Sequence, residues 1–162
     1  MKKLEFEVDI DAPKEKVWDT LWGGPTYEKW TNAFNKGSKA VTDWKEGSKV
    51  LFISDKGGGM YSKIAKSVPN TMMSIEHLGV LKNGQEQPLH KESVKWSGAM
   101  ENYMLEEYQG KTRLKVNMDT TEEFSAYFKE KFPQALESVK MLAEGKESTV
   151  AEHKEAHIKD YP

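Results

Sequence analysis

The chain has 162 residues, of which 37% are apolar and 31% charged, with a formal net charge of −2 and no cysteine. Those figures suit one folded domain and exclude disulfides, thiolate nucleophiles and cysteine-ligated zinc. A weakly negative chain whose only arginine is Arg113 also lacks the general attraction for nucleic acid and the guanidinium forks that read phosphate and guanine.

No run of about 20 apolar residues is available to span a membrane. Glu5 interrupts the apolar run that a signal peptide needs. The expected location is therefore the cytoplasm, without membrane insertion.

Residues 3–10 alternate, with Leu4, Phe6, Val8 and Ile10 on one face and charged residues on the other. That period of two predicts a half-buried strand. Asp11-Ala12-Pro13 stops it. Proline suits a first helical turn, and Glu15 complements the positive helix end. A short helix should carry Val17, Trp18, Leu21 and Trp22, and Gly23-Gly24-Pro25 should break it. A second short helix then carries Tyr27, Trp30 and Phe34.

Beyond Gly37 the pattern returns to strands. Segments 49–54 and 60–68 flank Asp55-Lys56-Gly57-Gly58-Gly59, which reads as a hairpin turn. Segment 71–80 places Met73, Ile75 and His77 on one face. The connection from Leu81 to Gly98 is long for a compact domain. Asn83-Gly84 should turn it, and His90 to Trp96 has room for a short helix; the whole either borders a cavity mouth with Trp96 packed inward or is a mobile surface loop. Two more strands, 99–108 and 112–119, flank a turn at Gln109-Gly110-Lys111.

Thr120-Thr121-Glu122-Glu123 reads as a capping box with Thr120 as N-cap. Phe124, Phe128, Phe132, Leu136 and Val139 follow at helical spacing, Pro133 predicts a kink near 129–133, and Gly145 is the expected stop. Residues 146–162 form a charged tail expected to be frayed or loosely docked, after a single domain over 1–145. The strands are joined by short turns, which favours antiparallel pairing. The predicted fold class is α+β: a curved antiparallel sheet wrapped around a long C-terminal helix, with two short helices after the first strand.

Several pieces in order carry a family resemblance: Ile10-Asp11-Ala12-Pro13-Lys14-Glu15-Lys16-Val17-Trp18, Trp30, Val68-Pro69-Asn70, Glu101-Asn102-Tyr103 and Phe132-Pro133-Gln134-Ala135-Leu136. Over about residues 3–145 the chain resembles the activator of heat-shock-protein-90 ATPase homologues, within the START/polyketide-cyclase/Bet v 1-like superfamily. That resemblance implies a helix-grip fold with a cavity between sheet and helix. Such folds bind lipids, polyketides or hormones, or assist a chaperone, so fold alone does not name a function. Nothing in the chain matches the separate chaperone-binding region of the eukaryotic activators.

The expected ligand site is the apolar junction of sheet and helix: Trp30, Phe34, Phe52, Met73, Ile75, Trp96, Phe124 and Phe128, with His77 for a polar head. The same residues would serve as ordinary core, and His77 as a satisfied core histidine. The expected ligand is a small hydrophobic or amphipathic molecule held mainly by burial, at about 25 cal/mol per Å² of apolar surface. One alternative is a chaperone-associated protein-interaction module; another is a cyclase- or hydrolase-type enzyme using His77 with a cavity acid, for which spacing assigns no carboxylate and Glu101 is a geometric candidate. No catalytic residue, cofactor or metal is assigned. His153 and His157 have helical spacing but no third ligand, and Gly57-Gly58-Gly59 lacks the Lys-Ser/Thr of a phosphate loop.

Overall fold

The computed structural model describes residues 1–146. In chain order it contains β1 (Lys2–Ile10), α1 (Lys14–Trp22), α2 (Gly24–Trp30), a 3-10 turn over Thr31–Ala33, β2 (Lys39–Val41), β3 (Lys49–Ile53) and β4 (Gly59–Val68). There follow β5 (Met72–Lys82), β6 (Gln85–Glu86), a 3-10 turn over Ser93–Lys95, β7 (Met100–Tyr108), β8 (Lys111–Thr120) and α3 (Glu122–Ala143). The strands form one curved, open antiparallel sheet in the order β1-β8-β7-β5-β4-β3-β2, with β6 beside β5. The fold is thus the α+β arrangement that the periodicities predict and the helix-grip fold that the family resemblance implies. The expectation for residues 147–162, with His153 and His157, lies outside the described residues.

Local chemistry accounts for the turns. Asn83 and Gly84 both have positive φ (52° and 76°), as do Gln109 and Gly110 (53° and 78°). Two consecutive left-handed residues make the type I′ loop whose twist matches that of paired strands. The first of these loops extends β5 to Lys82 and pairs it with β6, an extension that the glycine and charges after Leu78 concealed.

The expected capping box does not form, and the N-cap lies one residue later than predicted, which puts Phe124 rather than Glu123 at the third helical position. Thr120 ends β8 opposite Lys2, and Thr121 is the N-cap, with no side-chain capping bond. At the other end Gly145 (φ 76°) follows the C-cap Glu144. The Gly145 N–H donates to Leu142 O and the Lys146 N–H to Met141 O, which is the Schellman pattern. Helix α3 continues through Pro133.

One face of the sheet packs on α3. The C-terminal half of that helix contributes Leu136, Val139 and Leu142 to a core shared with Val17 and Leu21 of α1 and with Leu114 and Val116 of β8. The N-terminal half carries Phe124, Tyr127, Phe128 and Phe132, which border a cavity, Phe132 belonging to the core as well. Among the described residues, no helix is long and apolar enough to cross a membrane.

Candidate functional site

Between the N-terminal half of α3, the α1–α2 region and strands β3, β5, β7 and β8 lies a cavity of about 520 Å³. Its wall includes Trp30, Phe34, Phe52, Ile75, His77, Trp96, Phe124 and Phe128. Of the residues expected there from sequence, Met73 alone is not on the wall. It is fully buried in the core, and β5 first reaches the cavity at Ile75.

The wall is rigidly built. Trp30 is 2% exposed, and its indole N–H donates to Leu21 O at 3.0 Å, which fixes the ring against α1. Phe34 packs on Phe132 with ring centroids 5.0 Å apart and on Phe128 at 6.2 Å. The Tyr127 hydroxyl donates to Phe34 O at 2.8 Å, which ties α3 to the turn after α2. Trp96 follows the second 3-10 turn and reaches the wall, so the long connection does border the cavity. Phe124 is 45% exposed and, with Lys39 and Gly59, forms part of an accessible rim.

One polar chain crosses this apolar wall. Register sets Ser62 of β4 opposite His77 of β5, and Ile75 opposite Glu101 of β7, so His77 and Glu101 are diagonal neighbours. Leu78 is an extra residue in β5 at a bulge beside His77. Ser62 Oγ lies 2.7 Å from His77 Nδ1, and His77 Nε2 lies 2.9 Å from Glu101 Oε1. The Tyr103 hydroxyl donates to the other carboxylate oxygen.

The electrostatics follow from these contacts. Burial pushes the Glu101 carboxyl up, but the hydrogen bond from His77, the His77 charge and the hydrogen bond from Tyr103 outweigh it, and the net shift is downward. Glu101 is therefore ionised at neutral pH. An ionised carboxylate only accepts, so Nε2 carries a proton, and in the neutral ring Nδ1 accepts from the Ser62 hydroxyl. Burial raises the Tyr103 phenol well above its ordinary value, and the Glu101 charge adds to the rise. Tyr27 is raised for the same two reasons.

Serine, histidine and glutamate in a row invite comparison with a nucleophilic triad. Ser62 is 0% exposed and is not on the cavity wall. A serine at the dry end of the chain cannot meet a substrate in the cavity, so the row orients Glu101 rather than arming a nucleophile. Trp22 and Thr121 also line the wall, and among the described residues Trp22 Nε1 and Thr121 Oγ1 are buried without a hydrogen-bond partner.

Sequence reasoning did not assign Ser62, Tyr103, Trp22 or Tyr27 to the site, and held Glu101 only as a candidate acid. One signal was present: Glu101 shares a face with Tyr103 and Leu105 on β7, so a charge sits at an inward position of an otherwise apolar alternation. The pairing of Glu101 with His77 depends on register across strands and left no local mark.

No family model matches the chain, and no curated protein matches it either. Solved structures do. The Aha1 dimer from Colwellia psychrerythraea has a TM-score of 0.71 and 22% identity, over 91% of this chain and 100% of that one. The protein MLL2253 from Mesorhizobium loti has a TM-score of 0.69 and 18% identity, over 87% and 96%. CalU16 from Micromonospora echinospora has a TM-score of 0.62 and 15% identity, over 96% and 83%. At these identities the likeness is one of fold: the chain shares the fold of these structures, the helix-grip arrangement that the resemblance in its sequence implied.

Proposed function

We propose that this protein binds a small hydrophobic or amphipathic molecule in the cavity between the sheet and the N-terminal half of α3. One observation carries the reading: an aromatic-lined volume of about 520 Å³ falls within the range of small-molecule sites, and two of its polar groups, His77 and Tyr103, converge on Glu101. The exposed rim at Lys39, Gly59 and Phe124 gives solvent or a ligand access. The solid packing around Leu136, Val139 and Leu142 supplies the rigidity that a preformed site requires.

The enzymatic alternative, His77 with a cavity acid, has both groups on the wall, but the two ring nitrogens of His77 are already engaged by Ser62 and Glu101. A chaperone-associated role has likeness of fold as its only support, and fold does not carry function.

The test fills the cavity. Ile75 is 1% exposed and lies on the wall opposite Glu101 in register. Ile75→Trp should remove a reproducible bound mass seen by native mass spectrometry of protein from its own host, while the circular dichroism spectrum stays that of the parent. A bound mass that persists in a folded Ile75→Trp variant would place the ligand elsewhere and overturn the reading.

A further inference from the structure

Glu101 is an unusual group to find on such a wall. Its side chain keeps 19% of its surface accessible and lines the cavity, so its free face meets whatever enters. An ionised carboxylate has about four lone-pair sites, and His77 and Tyr103 occupy one on each oxygen. His77 is the only basic side chain among the described residues within ion-pair range of it.

The other charged groups on the wall look elsewhere. Lys39 is exposed at the rim. Asp119 accepts the Met100 N–H at 2.9 Å and faces Lys3 Nζ at 3.9 Å. The interior of the cavity therefore carries a carboxylate with spare acceptor capacity, whose one ion-pair partner among the described residues is His77.

Tyr103, which donates to Glu101, belongs to a set of edge-on aromatic rings on the same wall. Trp22 and Tyr103 lie 5.0 Å apart at 81°, and Trp30 and Tyr103 lie 6.3 Å apart at 63°. Tyr27 and Trp30 lie 5.5 Å apart at 78°. All four residues line the cavity, so π surface and a carboxylate border the same space. Aromatic faces and an anion attract a cation jointly, and do so more strongly where water is excluded. A neutral hydroxyl would gain one hydrogen bond there, and a carboxylate or phosphate head would be repelled by Glu101.

We infer that the cavity selects an organic cation, a protonated amine or quaternary ammonium on an apolar body, with its charge against Glu101 and the aromatic wall of Trp22, Trp30 and Tyr103. This rests on the cavity-binding reading and names the class of ligand. Charge-assisted contacts of this kind are worth roughly tenfold or more in affinity over a neutral hydroxyl.

The test uses a matched series on the full chain at pH 7 and low salt: n-decylamine, n-decanol and n-decanoate below their micellar concentrations, by titration calorimetry and tryptophan fluorescence. Decylamine should bind at least about tenfold more tightly than decanol, with decanoate weakest, and decyltrimethylammonium should follow decylamine. In Glu101→Gln the ratio of amine to alcohol affinity should fall to about one. Decanol binding as tightly as decylamine to the parent protein overturns the inference and leaves the cavity reading standing. So does an amine preference that survives in folded Glu101→Gln. Failure of all the probes to bind overturns both.

Discussion

Glu101 shows how neighbours decide the state of a buried group. Alone in an apolar wall it would take up a proton, because burial penalises the charge. His77 and Tyr103 reverse that outcome and hold the carboxyl below its ordinary range. A group whose folded pKa is depressed contributes stability above its unfolded pKa, near 4.5, and loses that contribution as pH falls through the folded value. Tyr103→Phe keeps the ring that packs on Trp22 and Trp30 but removes one donor. The variant should be less stable by about 1.5–3 kcal/mol at pH 7, since the bond lost is to a charged group. Its Glu101 pKa should rise, so the gap to the parent should narrow as pH falls below about 4.5. Urea midpoints of both proteins across pH 3 to 7 check this, and a gap independent of pH would show that Glu101 is not held ionised by Tyr103.

At the scale of elements, α3 is anchored by its own C-cap. Glu144 has a side chain only 4% exposed, and its carboxylate accepts the Asp11 N–H at 2.8 Å, Lys140 Nζ at 2.8 Å and Lys146 Nζ at 3.3 Å. Burial pushes this carboxyl up, but those partners win and hold its pKa at about 2. Lys140 also donates to Asp9 O at 2.9 Å, so the end of α3 is tied to the end of β1 and the residue that leads into α1. Glu144→Gln should cost roughly 1–3 kcal/mol at pH 7, less than the full linkage value because Lys146 is 65% exposed and solvent screens it. The contribution is complete above the unfolded pKa near 4.5 and disappears as pH falls towards 2. Thermal melts of parent and variant should therefore converge in acid, and parallel curves down to pH 2 would contradict the assignment.

The same helix shows what a sequence discloses about elements and what it withholds. Its phenylalanine stripe, its stop at Gly145 and the alternation of β1, β5 and β8 were legible because each depends on local periodicity or on one glycine's φ. The N-cap was misplaced by one residue because two threonines stand together, and only pairing with Lys2 decides that Thr120 belongs to the sheet. Most of the apolar cavity wall was expected in advance because the family resemblance implied a cavity between sheet and helix, to which helical spacing and strand alternation assigned residues. The network through Ser62, His77, Glu101 and Tyr103 was not, because it spans three strands and its alignment includes the extra residue Leu78.

Over the whole molecule, packing is divided along α3. Leu136, Val139 and Leu142 are at most 7% exposed within a solid core, whereas Phe124 is 45% exposed and shares the cavity wall with Phe128. Local stability follows local burial, so the two halves of one helix should open with different free energies. A ligand that binds the folded state adds RT ln(1 + [L]/Kd), and it acts first on the segments whose opening releases it. Backbone amides of 125–132 should therefore exchange faster than those of 136–143 in the free protein. Saturation of the cavity should slow the first set by roughly 100-fold at a ligand concentration of about 100 Kd, provided local opening releases the ligand. Amides in 136–143 should respond only as far as their exchange requires global unfolding. Hydrogen exchange followed by mass spectrometry, with and without a bound probe, measures both segments at once. Equal protection of the two halves in the free protein would mean that the cavity does not weaken α3. A uniform gain on binding would mean that the helix opens as one cooperative unit.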